Sequence, residues 1–365
     1  MNEVEFWSPK PGVPTPQALV VGDAVLDRWV RTEPTRLSRE APVPVYREHG
    51  EQRRAGGAAN VALNLAQIGI GVEFVGAVGA DPEGREVLEQ LNAQGVGTSH
   101  CLVLGEYQTP LKTRVLANAP NRQPLQVLRM DRDPQTPLQS KSRARLARRI
   151  ERIAGAKQVC LTIVSDYGYG HVGAELEGPI DGLIRQGTAC VLDPRDGAFT
   201  ARKLTALTPN LDDLARQAGV EPAALWDPGR LEQAALDWLT RANADLLLAT
   251  LGRAGMALFG HSGELARVPS SGGDQVVDVS GAGDTAVAWF ALCLGRGLEP
   301  VRAMEIANAA AGCSVLELGT ATPDPARVQA LCGVTADSNA SVGEAPHGVS
   351  AAAGHPTGTD VSKPR

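Results

Sequence analysis

Short apolar runs bounded by glycine alternate with helix-length amphipathic stretches along most of this chain, and this rhythm limits its possible folds more than any other feature. Strands joined by crossover helices lie parallel in one sheet, with helices covering its faces. The sequence therefore predicts an α/β fold with a central, mostly parallel sheet. The predicted strands are ALVVGD, EFVGAVGAD, QVCLTIVSD, TACVLDPRD, LTALTPN and DLLLATLG, and the predicted helices include 58–68, 140–153 and 231–241.

Polar residues stand at the ends of several predicted strands. Asp23, Asp166, Asp193 and Asn210 lie at the ends of predicted strands. In open α/β sheets, ligands bind in the crevice outside the carboxyl ends of the strands. We therefore expect the chemistry of this protein to lie at that edge of the sheet.

Two regions interrupt the rhythm and divide the chain. Residues 36–51 and 101–131 contain β-branched residues and proline with little helical period, so we expect a small β-lid made from segments of about 30–55 and 101–131. Residues 1–17 are interpreted as an N-terminal extension and 18–330 as the folded domain. Residues 331–365 lack apolar periodicity and predict a disordered low-complexity tail.

The composition limits the classes of partner that we expect. With 365 residues, 43% of them hydrophobic, the chain can bury a large core. A net charge of −6 offers no basic field, so we expect neither nucleic acid nor a membrane as a partner. The six cysteines form no CxxC pair, which indicates reduced thiols. Because no signal-like start and no apolar run of about 18 residues occurs, we expect a cytoplasmic protein.

The strongest local motif is DVSGAGDT at 278–285, which precedes an apolar, helix-like run. Where a helix begins with small residues, the backbone N–H groups of Gly281, Ala282 and Gly283 can approach an anion, and the helix dipole favours negative charge. Asp284 stands beside them and could accept a proton from a hydroxyl group. Taken alone, the motif fits a glycine turn with Asp284 as a helix cap about equally well.

A second motif places Gly56 and Gly57 before Asn60, with Asn64 four residues further on the same helical face. Paired glycines let a ligand approach the backbone closely. Asn60 can both donate to and accept from hydroxyl groups, which suits a polyol. By itself, a tight turn before a helix is the commoner meaning of this pattern.

Together these motifs resemble the ribokinase-like (PfkB) carbohydrate kinases, whose two signature regions match AGGAANVALNLAQIG and DVSGAGDTAVAWF in the expected order. The resemblance extends from about Ala18 to Thr322. It implies a ribokinase-like α/β fold with a small β-lid, and transfer of the γ-phosphoryl group of ATP to a sugar hydroxyl. The segments similar to the heptose 7-phosphate kinase branch are RLSREAPVPV, QTPLKTRVLA, LRMDRD, SDYGYG, LDPR, LTPNLDDL, ANAAAG and ELGTAT.

This branch implies phosphorylation of the anomeric hydroxyl of D-glycero-D-manno-heptose 7-phosphate, with Asp284 as general base and the amides of residues 281–283 as an anion hole. Asp213 stands where the family has the Glu of an Asn-x-x-Glu motif that organises Mg²⁺, so we expect it to act through water. Asp278 and Ser280 match a site for a monovalent cation such as K⁺. The residues at the family's ATP positions are Asn210, Thr250, Gly252, Gly255 and Asn308.

The resemblance also implies an acceptor site. The chain departs from the branch at Tyr169 and Arg195, where SDYGKG and LDPK would have lysine. The residues at the family's sugar-binding positions are Asp23, Asp27, Gly56, Gly57 and Asn60. The candidates for binding the distal phosphate are Arg39, Lys112, Arg114 and Arg195.

Alternatives remain open on the sequence alone. The acceptor could be ribose, fructose, another sugar phosphate or a nucleoside, and Tyr169 favours this. A non-catalytic sugar or nucleotide sensor is disfavoured by the intact Asp284. A Rossmann oxidoreductase is disfavoured because no GxGxxG follows the first strand. We also expect a homodimer, as lid strands of this family often mediate dimers. Because the sequence has no His-x-Gly-His motif, we expect nucleotidyl transfer to need a separate protein.

Overall fold

The computed structural model describes residues 17–118, 124–156, 159–195, 199, 201, 203–273 and 276–338. The strands are β1 (Gln17–Gly22), β2 (Ala24–Leu37), β3 (Pro44–Gly57), β4 (Gly71–Val75), β5 (Ala77–Gly79), β6 (Leu102–Leu104), β7 (Leu111–Ala117), β8 (Leu125–Arg132), β9 (Val159–Ser165), β10 (Ala189–Asp193), β11 (Leu204–Leu207), β12 (Ala244–Thr250), β13 (Met256–Gly260) and β14 (Gly263–Val268). The α-helices are α1 (Ala58–Gln67), α2 (Pro82–Ala93), α3 (Ser140–Ala156), α4 (Glu177–Arg185), α5 (Leu211–Ala218), α6 (Pro228–Ala242), α7 (Ala282–Gly295), α8 (Pro300–Ser314) and α9 (Pro325–Ser338).

The main sheet has eight strands in the order β14-β13-β12-β11-β10-β9-β1-β4. All neighbouring pairs from β12 to β4 are parallel, and only β13 and β14 pair antiparallel, at one edge. In strand β1, Val20 packs toward α1, α7 and α8, while Leu19 and Val21 pack toward α3, α4 and α6. Helices therefore cover both faces, which explains the nearly continuous apolar runs of the strands. The predicted α/β fold is confirmed.

A separate four-stranded sheet in the order β3-β2-β7-β8 forms the lid. β2 is antiparallel to β3 but parallel to β7, and β7 is antiparallel to β8. The predicted lid is thus confirmed, but its second part starts at Leu111 instead of 101. The intervening strand β6 pairs with β5 in a two-stranded sheet, because Leu102 and Leu104 are buried in the main core.

The last helix changes the expected end of the folded part. Val328 and Cys332, four residues apart, are both buried in the core beside α8. This spacing is that of one face of a helix, and α9 extends past residue 331 to Ser338. Residues 339–365 of the predicted tail and 1–16 of the predicted extension 1–17 lie outside the described residues. Within the described part of the chain, no helix is both long and apolar enough to cross a membrane.

Candidate active site

The carboxylate of Asp284 is the centre of the site. Asp284 is the third residue of α7 and is only 4% exposed. Asn60 Nδ2, from the first turn of α1, donates to Oδ2 at 2.9 Å, and the Tyr167 hydroxyl donates to Oδ1. Since each carboxylate oxygen can accept two hydrogen bonds, each keeps a lone pair for a further donor. The motifs at 56–60 and 281–284 therefore meet, as their predicted roles require.

The surroundings of Asp284 suit a general base. Burial raises the pKa of its carboxyl to about 6, although the hydrogen bonds from Tyr167 and Asn60 lower it. Among nearby charges, Asp27 raises this pKa and Lys112 lowers it. A carboxyl with a pKa near 6 is mostly ionised at neutral pH and still binds a proton more readily than an ordinary aspartate.

The start of α7 is closed on one side and open on the other. Gly281 has a φ of +78°, and a Cβ there would lie 2.7 Å from Asn60 Nδ2 and 2.9 Å from Thr320 Cγ2. A Cβ on Gly283 would meet nothing within 4 Å. Gly283 and Asp284 border a cavity of about 110 Å³, whose other lining residues are Asp166, Tyr167, Asp193, Pro194, Arg195, Thr208, Asn210, Asp213, Thr250 and Val287. An anion can therefore approach the helix N-terminus from this cavity.

Asp23 supports the loop that follows β9. It is fully buried; its Oδ2 accepts from the Tyr167 amide at 2.6 Å, and its Oδ1 accepts from the His171 amide at 3.3 Å. Asp23 also forms an ion pair with His171 Nδ1, while His171 Nε2 lies 3.0 Å from the Ala77 carbonyl oxygen. Burial alone would raise the pKa of Asp23, but His171 and these hydrogen bonds lower it overall. Asp23, predicted to bind sugar, thus has its carboxylate engaged by the loop.

Tyr167 and His171 were not predicted as functional residues. In the SDYGYG segment, the departure from the family pattern is at Tyr169, where lysine is expected. The structure instead brings Tyr167 to the base, while the Tyr169 hydroxyl donates to Asp133 Oδ1 at 2.8 Å, just beyond lid strand β8. Two tyrosines one residue apart gave no signal of which one faces the site.

Asp27, Gly56 and Arg114, on three adjacent strands of the lid, form one packed group. Arg114 Nη1 donates to Asp27 Oδ1 at 2.5 Å, and the Arg114 guanidinium lies 5.1 Å from the centre of the Trp29 ring. A Cβ on Gly56 would collide with Asp27 Oδ2. The charge of Arg114 is therefore already balanced by Asp27.

Lys112 lies in a different environment from Arg114. Its Nζ lies 4.8 Å from the centre of the Tyr167 ring and 6.0 Å from that of Tyr169. Within the described residues, no carboxylate forms an ion pair with it. Burial lowers the pKa of Lys112. Arg39, another candidate, is exposed in the connection between β2 and β3.

The backbone conformation before α1 explains why a glycine stands at position 57. Gly57 has a φ of +62°, which favours glycine, and a Cβ there would lie 2.6 Å from the Asp23 carbonyl oxygen. Asn64 Nδ2 donates to the Asn60 carbonyl oxygen at 3.0 Å. Asn64 therefore contacts its own helix, whereas Asn60 reaches the base.

Two of the predicted nucleotide residues, Asn210 and Thr250, line the cavity together with Asp213. Asn210 caps α5, accepting from the Asp213 amide at 2.8 Å, and bridges to Thr250. Asp213 Oδ1 accepts from Arg216 Nη1 at 2.8 Å and from Arg195 Nη1 at 3.5 Å. Burial raises the pKa of Asp213 in spite of these arginines. Arg195, predicted to bind the sugar phosphate, thus lies with the nucleotide candidates, because it follows β10 and its guanidinium reaches Asp213 on α5.

The other residues predicted to bind the nucleotide or the monovalent cation stabilise loops in this structure. Gly252 (φ +58°) and Gly255 (φ +89°) shape the turn between β12 and β13. Asn308 Nδ2 donates to the Pro269 carbonyl oxygen at 2.8 Å, which fixes the segment after β14. Asp278 accepts from the Ser280 amide at 2.9 Å and the Gly319 amide at 3.1 Å. In the described part of the chain, no group of three His, Cys, Asp or Glu side chains is arranged to hold a metal ion.

Asp193 is a second, half-buried carboxyl at the cavity, predicted at a strand end but given no role by the sequence. Burial and the charge of Asp284 raise its pKa well above the usual range. Its Oδ1 accepts from the Thr208 hydroxyl at 3.1 Å. The sequence signal available for Asp193 was its position at the carboxyl end of β10.

Comparison with known proteins bears on the family of this chain. The family model "pfkB family carbohydrate kinase" matches residues 15–327. "Bifunctional protein HldE" of Magnetococcus marinus is 38% identical over 314 residues, which is 84% of this chain and 62% of that protein. The protein of the same name from Halorhodospira halophila is 36% identical over 326 residues, 89% of this chain and 65% of that protein. The chain thus spans less than two thirds of each relative.

Solved structures share the fold at low identity. Phosphofructokinase-2 from Escherichia coli in complex with potassium has a TM-score of 0.72 and 18% identity, covering 89% of this chain and 100% of that one. Arabidopsis thaliana ribokinase complexed with ribose and ATP has a TM-score of 0.62 and 21% identity, covering 88% and 99%. At these identities the likeness shows the fold alone, a ribokinase-like sheet with a separate lid.

Proposed function

Since the chain belongs to the pfkB family of carbohydrate kinases, we propose that it transfers the γ-phosphoryl group of ATP to the anomeric hydroxyl of D-glycero-D-manno-heptose 7-phosphate. The product is the 1,7-bisphosphate, a precursor of ADP-heptose, made in the cytoplasm. The observation that carries the proposal is the buried carboxylate of Asp284 at the open N-terminus of α7. The sequence resemblance to the heptose 7-phosphate kinase branch and the relatives named HldE support the acceptor.

The residues support a direct transfer. Asp284 accepts the proton of the anomeric hydroxyl, whose oxygen attacks the γ-phosphorus while the bond to the ADP leaving oxygen breaks. The backbone amides of residues 281–283, at the positive end of the α7 dipole, stabilise the charge on the transferred group. Catalysis then rests on positioning and on fixed dipoles, as is usual for phosphoryl transfer.

Lys112 is the best-placed cation for the distal phosphate of the acceptor. Arg114 is balanced by Asp27, and Arg195 lies beside Asp213 on the nucleotide side. Lys112, by contrast, lies above the Tyr167 ring close to the base, without an ion-pair partner among the described residues. An ammonium so placed can pair with an arriving phosphate without first breaking a salt bridge.

Magnesium enters with the nucleotide in this proposal. Mg²⁺ prefers oxygen ligands and keeps several of its waters, binding mainly through substrate phosphates. Asp213 fits an indirect role, since its Oδ1 already accepts from Arg216 at 2.8 Å. When bound, the ion would neutralise phosphate charge. Potassium near Asp278 is a further part of the proposal, tested by comparing turnover in potassium and sodium salts.

We also infer a homodimer formed through the lid. Every residue of the edge strand β8 is exposed, including Leu125, Leu128 and Met130. Exposed apolar side chains on an edge strand favour pairing with a second sheet.

The decisive assay measures ADP release from MgATP with a panel of acceptors: heptose 7-phosphate, ribose, fructose, fructose 6-phosphate, fructose 1-phosphate and adenosine. The proposal requires the highest kcat/KM with heptose 7-phosphate. A maximum with another acceptor would replace the substrate and keep the reaction class; Tyr169, which takes the place of an expected lysine, makes this the second candidate. No turnover with any acceptor would favour a sensor.

The Asp284→Asn variant tests the base. It keeps the size of the side chain but cannot accept the proton, so turnover should fall by about 10²- to 10⁴-fold. The variant should fold at least as well as the wild type, because the buried carboxylate, with a pKa raised to about 6, opposes folding at neutral pH. Turnover near that of the wild type would remove Asp284 from the mechanism.

A further inference from the structure

We propose that Tyr167 is a positioning residue for the base: its hydroxyl fixes the orientation of the Asp284 carboxylate toward the acceptor. The inference rests on the proposed role of Asp284 as general base. Tyr167 was given no role by the sequence, and it contacts the base through a side-chain hydrogen bond.

One hydrogen bond alone would leave the carboxylate free to rotate. Asn60, on α1, holds only Oδ2, and the terminal torsion of an aspartate is broad. The Tyr167 hydroxyl donates to the other oxygen, Oδ1, from the loop after β9. Two donors on separate elements thus fix the carboxylate plane. The lone pairs left on the two oxygens then face a fixed direction.

The backbone of Tyr167 is itself held in place. Its amide donates to the buried carboxylate of Asp23 at 2.6 Å, and His171 holds the same carboxylate. The next residue, Gly168, has a φ of +82° that favours glycine, and its amide donates to Asp166 Oδ1 at 2.9 Å. This anchoring explains why an aspartate at the end of β1 is fully buried: it sets the loop that carries the tyrosine.

The ring of Tyr167 also meets the lid. Lys112, on strand β7, places its Nζ 4.8 Å from the ring centre, a distance at which an ammonium is attracted to an aromatic face. One face of the tyrosine thus receives the cation proposed for the acceptor phosphate, while its hydroxyl holds the base. Tyr167 therefore contacts both the cation proposed to bind the acceptor phosphate and the carboxylate proposed to act as the base.

The charge around Asp284 predicts a measurable effect of losing this hydroxyl. The ionisable groups facing Asp284 are Asp27 on β2, Lys112 on β7, Asp193 on β10 and Tyr167 itself. Burial and the charge of Asp284 raise the pKa of Tyr167 well above its usual value, so it remains a donor. Without it, burial and Asp27 still raise the pKa of Asp284, and only Asn60 and Lys112 oppose them.

The test compares Tyr167→Phe with Tyr107→Phe. Tyr107 is also buried, but its hydroxyl has no hydrogen-bond partner among the described residues, so its loss should change neither turnover nor its pH dependence. In Tyr167→Phe, kcat should fall at least about tenfold with the acceptor KM little changed, and the acidic limb of the rate profile should move up by about one pH unit. The loss should shrink as the pH rises, because the base is then ionised in both proteins.

Two measurements separate this inference from the proposed function. The acceptor that gives the highest turnover in the panel is used, so a different sugar leaves the test intact. Infrared difference spectra, assigned with Asp284→Asn, follow the protonation of Asp284 without any turnover. An upward shift of its titration in Tyr167→Phe supports the inference even in a protein that lacks kinase activity. An unshifted titration together with an unchanged kcat overturns it, and thermal melting checks that each variant is folded.

Discussion

Two glycines at the start of α7 should respond to alanine in opposite ways. Gly281 has a φ of +78°, and a methyl group there would press on Asn60 Nδ2 and on Thr320. Gly283 has a helical backbone, and a methyl group there would meet nothing within 4 Å. Gly281→Ala should therefore damage both stability and activity, whereas Gly283→Ala should damage activity alone.

The magnitudes follow from these two environments. A left-handed backbone costs an alanine roughly 1–2 kcal/mol, and displacing Asn60 from Asp284 removes a charge-assisted hydrogen bond of about 1.5–3 kcal/mol. Gly281→Ala should thus lower the free energy of unfolding by about 2.5–5 kcal/mol. In contrast, Gly283→Ala replaces a helical glycine and should raise it by up to about 1 kcal/mol. Its methyl group nevertheless enters the cavity where the phosphoryl group is proposed to bind, so kcat should fall about 100-fold or more.

Thermal melting and ADP release on the same preparations provide the assay. The pattern expected is a lower Tm with low turnover for Gly281→Ala, and an equal or higher Tm with low turnover for Gly283→Ala. Wild-type turnover in Gly283→Ala would refute a phosphoryl site at the start of α7. A wild-type Tm in Gly281→Ala would refute the argument from its backbone and from Asn60.

Two further predictions concern the lid. Lys112→Met should raise the KM for a phosphorylated acceptor about tenfold or more, while the KM for ATP stays constant. Arg132→Met, which breaks a lid salt bridge to Glu83, is the control. Equal effects in both variants would contradict the role of Lys112 in binding the acceptor phosphate. Leu128→Asp places a charge on the exposed edge strand, so sedimentation should show monomer where the wild type is a dimer; a monomeric wild type would rule out the lid interface.

The sequence predicted the two halves of the site but not their contact. Local patterns predict where a helix begins and which residues cap it, and both glycine motifs were found in this way. Asn60 and Asp284 are 224 residues apart, and only the packing of α1 against α7 brings them to 2.9 Å.

The strand-end residues show why other predictions were less complete. The alternation of apolar runs correctly indicated which edge of the sheet carries polar groups. It could not indicate what each side chain faces, because that depends on partners distant in sequence. Asp23 interacts with His171, 148 residues away, and Arg195 forms an ion pair with Asp213 on the nucleotide side. Tyr167 had no pattern to distinguish it from Tyr169.

Residues of the core and residues of the lid act on Asp284 in different ways. Asn60 and Tyr167, on the core side, hold the two carboxylate oxygens by hydrogen bonds, while Asp27 and Lys112 of the lid act on it only through charge. Because Asp27 is balanced by Arg114 at 2.5 Å, the main uncompensated lid charge near the base is that of Lys112. Core substitutions should therefore act mainly on kcat through the geometry of the base, and lid substitutions mainly on acceptor binding.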